Sequence, residues 1–265
     1  MKIITSRQNP LVARFRSAAG ERSDRGAHVL LDGAHLVRDA RTSGLIIEVV
    51  AVASSSLRAD TEESRLARAL AHEGVDVIET SDEVFDALSP VRTPSGIAAI
   101  ITRPPNDPAE MCRQDEAFLL VVVDVQEPGN VGALLRAGEA GGITGAFVCG
   151  SSAHPFSWKA VRGSMGSALR LPIVAGLSAS EALSCLERSR VRTIAAVPRG
   201  GEEPDAIDWR GRVAIVVGGE GAGLSDDVIS LCDARVSIPM ATPVESLNVA
   251  TAAAVLVYAA RRARR

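Results

Sequence analysis

The chain has 265 residues, 46% of them hydrophobic but only 3% aromatic, and a formal net charge of −3. That length and apolar content fit one large or two ordinary domains of a soluble globular protein, and the net charge argues against a uniformly basic nucleic-acid binder. The longest apolar run of the terminal segment, Ala252 to Ala260, is too short to span a bilayer, and the opening MKIITSRQNP has no signal-peptide core, so a cytoplasmic location is expected.

In chain order, the first feature is a basic arm: Lys2, Arg7, Arg14, Arg16, Arg22 and Arg25 stand against only Glu21 and Asp24. Of the 29 basic residues only Lys2 and Lys159 are lysines, and arginine carries the rigid fork that grips phosphate bidentately. Short apolar runs then alternate with polar, helix-compatible stretches (HVLLDGAHLVRDARTSG, LIIEVVAVA, TEESRLARALAHEG, VDVIET, SDEVFDALS, GIAAIITRP), an α/β pattern. The stretch TRPPNDPAEMCR lacks periodicity and holds Pro104, Pro105 and Pro108, which places a linker at 103–115 between an N-terminal domain at 1–102 and a C-terminal domain at 116–265. The second domain opens with AFLLVVVDV, apolar on both alternating faces as in a central parallel strand, and similar runs recur at GAFVCG, VRTIAAV and VAIVVGG. Cys112, Cys149, Cys185 and Cys232 are far apart with no CxxC pair, so neither a metal site nor a disulfide framework is expected and the thiols read as reduced and mostly buried.

Three segments of the second half share one layout, an apolar strand ending in a Gly, Pro or Asn loop before a helix, and ligands of open α/β sheets bind at that carboxyl edge. In VVVDVQEPGNVGALLRAGEAGG, Asn130 is placed to cap a helix, and Gly132 lies one turn before Arg136, leaving space beside its guanidinium. In VAIVVGGEGAGLSDD, Gly218, Gly219, Gly221 and Gly223 allow close backbone approach to a ligand, and Glu220 adds an acid to the same loop. A dinucleotide-binding turn needs glycine where Leu224 stands, and a phosphate loop needs a Gly-Lys-Ser/Thr that is absent. In VSIPMATPVESLNVATAAAVLVYAARR, a strand-like run leads through Ile238 and Met240, suited to flank an apolar ring, to Ser246 and Asn248, which offer hydrogen-bonding groups; Ser246 sits where a helix cap is expected.

Taken together, N-x-G-x-x-x-R, G-G-E-G-x-G-L and I-P-M…E-S-L-N-V, in this order at successive strand ends, resemble the three signature motifs of the SpoU (TrmH-like) class of SPOUT RNA methyltransferases. The stretch Trp158 to Ile173 is similar to the family's Arg-x-Ser-x-Gly segment, and the front half resembles its small ribosomal-protein-like α/β RNA-binding domain. The resemblance implies a parallel-sheet domain tied in a deep trefoil knot, S-adenosylmethionine as cofactor, and methylation of a ribose 2′-hydroxyl of rRNA or tRNA by a homodimer. It also implies that Gly218, Ile238 and Leu247 hold the cofactor, joined by Gly219, Glu220, Gly223, Met240 and Asn248, while Asn130, Arg136, Glu220, Ser246 and Asn248 match the active-site set. The chain departs from the family at Thr242, often glycine, and at Ala250, often serine.

Methyl transfer from a sulfonium is an in-line displacement, so alignment supplies much of the acceleration and no nucleophilic triad is needed. His28, His35, His72 and His154 all lie outside the three motifs. Arg136 is expected to orient the substrate through a phosphate and to stabilise developing alkoxide charge, with Glu220 holding its guanidinium. Few aromatics leave RNA recognition to shape and phosphate contacts, for which Arg7, Arg14, Arg16, Lys159, Arg162 and Arg170 are the candidates. The rival readings are a non-catalytic RNA-binding protein of the same fold and, on the glycine loop alone, an NAD(P)-binding oxidoreductase.

Overall fold

A computed structural model of the chain describes residues 2–19, 28–103 and 106–265. Arg22 and Arg25 of the basic arm and Pro104 and Pro105 of the expected linker lie outside the described residues. The chain divides into two compact units, one of Met1–Pro104 with Phe156–Leu169 and the other of Pro105–Pro155 with Arg170–Arg265. Residues 156–169, expected within the C-terminal domain, thus group with the N-terminal unit. Among the described residues no helix is long and apolar enough to cross a membrane.

The first unit is built on a five-stranded mixed sheet of β1 (Lys2–Ile4), β2 (His28–Asp32), β3 (Ile46–Ala53), β4 (Val77–Thr80) and β5 (Ile97–Thr102), in the order β1-β4-β3-β5-β2. The β1, β4 and β3 strands run parallel, whereas β5 is antiparallel to both β3 and β2. Its helices are α1 (Pro10–Ala19), α2 (Ala34–Thr42), α3 (Ser54–Arg58), α4 (Glu62–His72) and α5 (Asp82–Leu88). Val12, Phe15, Val84, Phe85 and Leu88 from α1 and α5 close on one face of the sheet, joined by Trp158 of the 156–169 segment.

The second unit carries six parallel strands, β6 (Phe118–Val123), β7 (Gly145–Cys149), β8 (Ile173–Ala175), β9 (Arg192–Ala196), β10 (Val213–Gly218) and β11 (Ala234–Val236), in the order β11-β9-β10-β6-β7-β8. Every residue of β6 is buried, which is why its sequence is an unbroken apolar run. Leu119, Val121 and Val123 face a core with α6 (Pro108–Arg113) and α10 (Ala179–Arg188). The helices α7 (Pro128–Gly141) and α12 (Val249–Ala263) pack along each other, and α12 also contacts β10. The residues expected as linker are therefore partly helical: Asp107 caps α6, and Met111 and Cys112 are buried. The four strands read from apolar runs are present; the three-residue edge strands β8 and β11 are additional, and of VSIPM only Val236 is in a strand.

All four cysteines are free; three are buried and Cys232 is half-buried. Burial pushes the Cys112 and Cys149 thiols up to about 12 and Cys232 up to about 11, so each is protonated near neutral pH.

The C-terminal arginines tie α12 down. Arg264 donates from Nη1 to the carbonyls of Trp209 (2.6 Å) and Gly211 (2.7 Å) and from Nη2 to that of Glu116 (3.1 Å), with its guanidinium 5.0 Å from the centre of the Phe118 ring. Arg261 donates to the Ala140 carbonyl at the end of α7 (2.6 Å), and Arg262 pairs with Asp205. Charged donors on backbone carbonyls are among the stronger hydrogen bonds. Arg264→Ala is expected to lower the unfolding free energy by roughly 2–4 kcal/mol, and Arg264→Lys to recover only part of it because one ammonium cannot span the three carbonyls; urea titration of both variants checks this.

Candidate active site

The carboxyl ends of β6, β9, β10 and β11 carry the loops that hold nearly all the candidate residues of the three motifs. After β10 the chain folds back on itself: Gly223 N donates to Gly219 O (3.1 Å), and Gly221 and Gly223 take φ of +86° and +66°. A Cβ on Gly218 would lie 2.3 Å from the Gly223 carbonyl carbon, and one on Gly219 would lie 2.1 Å from the Asp124 backbone oxygen. The glycines that suggest ligand approach are thus required, at 218 and 219, by the chain's own backbone. Glu220 follows directly at the exposed tip of the loop.

Three polar side chains from three distant segments meet there. The Asn130 amide donates to Glu220 Oε1. Asn248 Nδ2 donates to the same Oε1 (3.3 Å) and to Asn130 Oδ1 (3.2 Å). On its other side, Asn248 Oδ1 accepts from the backbone N–H groups of Ala250 (2.9 Å) and Thr251 (3.3 Å), so Asn248, and not Ser246, caps α12. Asn130 likewise is not a cap: Glu127 caps α7, Pro128 takes its first position, and Asn130 is the third residue of the helix, its amide on the loop. Arg136 is exposed on α7 with no hydrogen-bond or ion-pair partner among the described residues, so the expected Glu220–Arg136 contact is not formed. Gly132 is buried in the same helix.

Adjoining this trio is an apolar cleft of about 100 Å³, lined by Ala196, Val197 and Pro198 at the end of β9 and by Ile238, Met240, Ser246 and Leu247 after β11, with Val236, Ala252 and Leu256 completing it. Of the cofactor candidates, Ile238, Met240 and Leu247 line this cleft. Gly219, Glu220 and Gly223 instead border a second, open cavity of about 380 Å³ with Asp124 and Gln126, and Gly218 and Asn248 line neither. The wall at 196–198 is missing from the sequence reading, although the strand VRTIAAV and the following Pro-Arg-Gly-Gly loop mark the same sheet edge. Arg199 and Glu245, one beyond each wall, pair at 3.5 Å. Thr242, where the family often has glycine, is not among the residues of positive φ; its bond to Pro243 is cis.

The basic candidates divide into engaged and free. Arg14 pairs with Glu48, Arg16 donates to the Ala87 carbonyl (2.7 Å), and Arg170 makes two bonds of 2.7 Å to Glu139. Lys159 lies 5.8 Å from the Trp158 ring centre, while Arg7 and Arg162 are exposed with no partner among the described residues.

Comparison with known proteins agrees with these features. The profile of the SpoU rRNA Methylase family matches residues 117–258, and that of the MRM3-like substrate binding domain matches residues 18–99. An uncharacterized tRNA/rRNA methyltransferase of Synechocystis sp. is 33% identical, covering 98% of this chain and 93% of the relative. The 23S rRNA (guanosine(2553)-2'-O)-methyltransferase RlmP of Bacillus subtilis is 27% identical over 97% of this chain and 98% of its own length. Among solved structures, the AdoMet-bound rRNA methyltransferase from Sinorhizobium meliloti superposes with a TM-score of 0.86 at 25% identity, covering 98% of this chain and 97% of that one. The SpoU methyltransferase AviRb from Streptomyces viridochromogenes in complex with AdoMet gives 0.86 at 26% identity, with 96% and 98% covered.

Capping and network formation by Asn248 are separable. Asn248→Asp keeps the cap oxygen but replaces the donor to Glu220 with a second carboxylate, whereas Asn248→Ala removes both. The alanine variant is expected to lose about 1–2 kcal/mol of unfolding free energy. The aspartate variant should lose less, and its deficit should shrink as pH falls from neutral toward about 5, because a carboxylate facing another has a raised pKa and takes up its proton more readily in the folded state. Chemical denaturation at two pH values checks both.

Proposed function

The chain belongs to the SpoU rRNA methylase family, and from that premise we propose that it uses S-adenosylmethionine to methylate a ribose 2′-hydroxyl of rRNA or tRNA in the cytoplasm. The observation that carries this reading is the meeting of Asn130, Glu220 and Asn248, one from each of the three motifs, beside the apolar cleft.

The residues present fit the cofactor. The cleft is lined almost wholly by aliphatic groups and Met240, suited to a planar heterocycle, with Ser246 as a polar contact at its edge. Its volume is below the ~300–1,000 Å³ of whole-ligand sites, so it accounts for the ring and leaves the amino-acid end of the cofactor to the neighbouring polar loops. When bound, S-adenosylmethionine supplies an electrophilic methyl group on a sulfonium. The chain's own part is alignment. Glu220 Oε1 is held by two amides, which leaves Oε2 to accept a hydrogen bond from the ribose hydroxyl and orient it. Arg136, which has no partner among the described residues, takes the adjacent phosphate and stabilises charge developing on the hydroxyl oxygen.

The trefoil knot belongs to this proposal. It is supported by the chain path: β11 lies at the sheet edge beside β9, yet α12 packs on α7 and β10, and Ser237 in the return segment bonds the 201–202 loop through Gly201 N to its Oγ (2.9 Å) and through its own N to Glu202 O (2.9 Å). The first unit, through its match to a substrate-binding domain, is assigned to RNA. The presence of Asn130, Arg136 and Glu220 favours catalysis over RNA binding alone, and backbone packing accounts for two of the four glycines, Gly218 and Gly219, on which a dinucleotide reading rests.

A homodimer is also proposed. One side of α12 leaves Val255 41% and Tyr258 50% exposed. The protein is expected to run as a dimer by light scattering at micromolar concentration, and Val255→Glu to shift it toward monomer, since a charge on a covered apolar face is costly. For the reaction, RNA from cells lacking the protein, incubated with enzyme and labelled S-adenosylmethionine, should yield label in one alkali-resistant dinucleotide, because a 2′-O-methyl group removes the hydroxyl that attacks the neighbouring phosphate. Label released entirely as mononucleotides would refute ribose methylation.

A further inference from the structure

Between Phe156 and Leu169 the only exposed residues are Lys159, Arg162 and Met165, spaced by three. Lys159 and Arg162 lie on one face of the helix α8 (Trp158–Ser164), whose other face, with Ala160 and Val161, is buried. Met165 extends the row beyond the last turn. It holds a left-handed conformation, φ +49°, that disfavours any residue with a side chain, and the residue is 44% exposed. The turn is rigid. Fully buried Ser164 donates from Oγ to the Val161 carbonyl (2.7 Å) and accepts from Ala168 N (3.2 Å), and Met165 N donates to the Arg162 carbonyl (3.2 Å). Glycine would satisfy this backbone without strain, as it does at Gly166 next along the chain, φ +87°. A strained backbone that holds an apolar side chain in water is a feature found at binding sites.

We propose that Lys159, Arg162 and Met165 form one contact for single-stranded substrate RNA, the two cations on successive phosphates and the Met165 side chain against a nucleobase or ribose. The occupant follows from charge: the row has two cations, no acid, and an Arg162 guanidinium with no partner among the described residues. A second copy of the chain meeting the row about a two-fold axis would set cation against cation. A polarizable thioether packs on a ring face without demanding a particular base, which suits a contact that grips a strand next to the target. The inference rests on RNA being the substrate.

The discriminating variant is Met165→Gly, which removes the side chain and relieves the backbone. A merely structural Met165 predicts an unchanged KM for RNA. As an RNA contact, it predicts a melting temperature equal to or above that of the unaltered protein, unchanged affinity for S-adenosylmethionine, and a KM for RNA raised about five-fold or more. Met165→Leu, which restores an apolar side chain, should recover most of that loss. Arg162→Gln should weaken RNA binding and make its dependence on log salt shallower by about 0.7–0.9, one phosphate contact. An unchanged KM in Met165→Gly, an unchanged salt slope in Arg162→Gln, or a change of oligomeric state in either would overturn the proposal, the last by making the row a subunit contact. Binding and KM are read relative to the unaltered protein on RNA from cells lacking it; absence of methyl transfer by the unaltered protein would instead refute the function proposed above.

Discussion

In the second unit the placing of the polar trio depends on a single side-chain amide. The Oδ1 of Asn248 holds the first free N–H groups of α12 while its Nδ2 reaches Asn130 and Glu220. Where the terminal helix starts and where the polar trio sits are therefore one structural fact. The far end of the same helix is fixed by Arg264 on three carbonyls and by Arg261 on the end of α7. Its middle is fixed by packing so close that a Cβ on Gly141 of α7 would fall 2.0 Å from Val257. A helix pinned at both ends and along its length cannot slide, and a slide of one residue would carry Asn248 out of reach of Glu220.

The opposite wall of the trio is set by an equally local constraint. β6 and β10 are adjacent and in register to their last residues, Val123 beside Gly218, so the loops leaving them collide unless one lacks side chains. Gly219 resolves the collision against the Asp124 carbonyl. Asp124, itself at φ +56°, turns the other loop away and anchors it by accepting from the N–H (2.7 Å) and hydroxyl (2.9 Å) of Ser151. Glu220 is delivered to Asn130 by this backbone crossing, before any ligand is considered.

Those two constraints explain what the sequence discloses and what it hides. Runs buried on both faces, such as FLLVVV and VAIVVG, announce central strands because solvent touches neither side. The three-residue edge strands β8 and β11 have too little length to show a period. Motif order locates the trio, since Asn130, Glu220 and Asn248 each stand at the end of a recognisable strand-loop-helix layout. Their partners are not local: the cap at Asn248 rather than Ser246 is decided by where α12 meets α7, and the pairing of Glu220 with two amides rather than Arg136 by the turn of a loop 84 residues after that arginine. Glycines carry a similar ambiguity, because a ligand and a neighbouring carbonyl demand the same missing side chain. The grouping of 156–169 with the first unit has no sequence signal beyond the aromatic Trp158, whose buried neighbours come from the front of the chain.

Exposure sets how such a site can work. Glu220, Asn248 and Arg136 are all exposed, and in water hydrogen bonds among such groups contribute little because solvent competes for every donor and acceptor. The same groups act far more strongly once a substrate covers them, since the loss of water lowers the local dielectric around donors that are already aimed. Under the proposed function, a pre-aimed but uncovered trio links chemistry to the arrival of a large partner. A small hydroxylated molecule reaching the cleft would leave the surrounding water in place, whereas a nucleotide held by its neighbours on the strand brings its own cover. Selection of RNA over free nucleosides can thus arise from the openness of the site, with no residue dedicated to rejecting the smaller molecule.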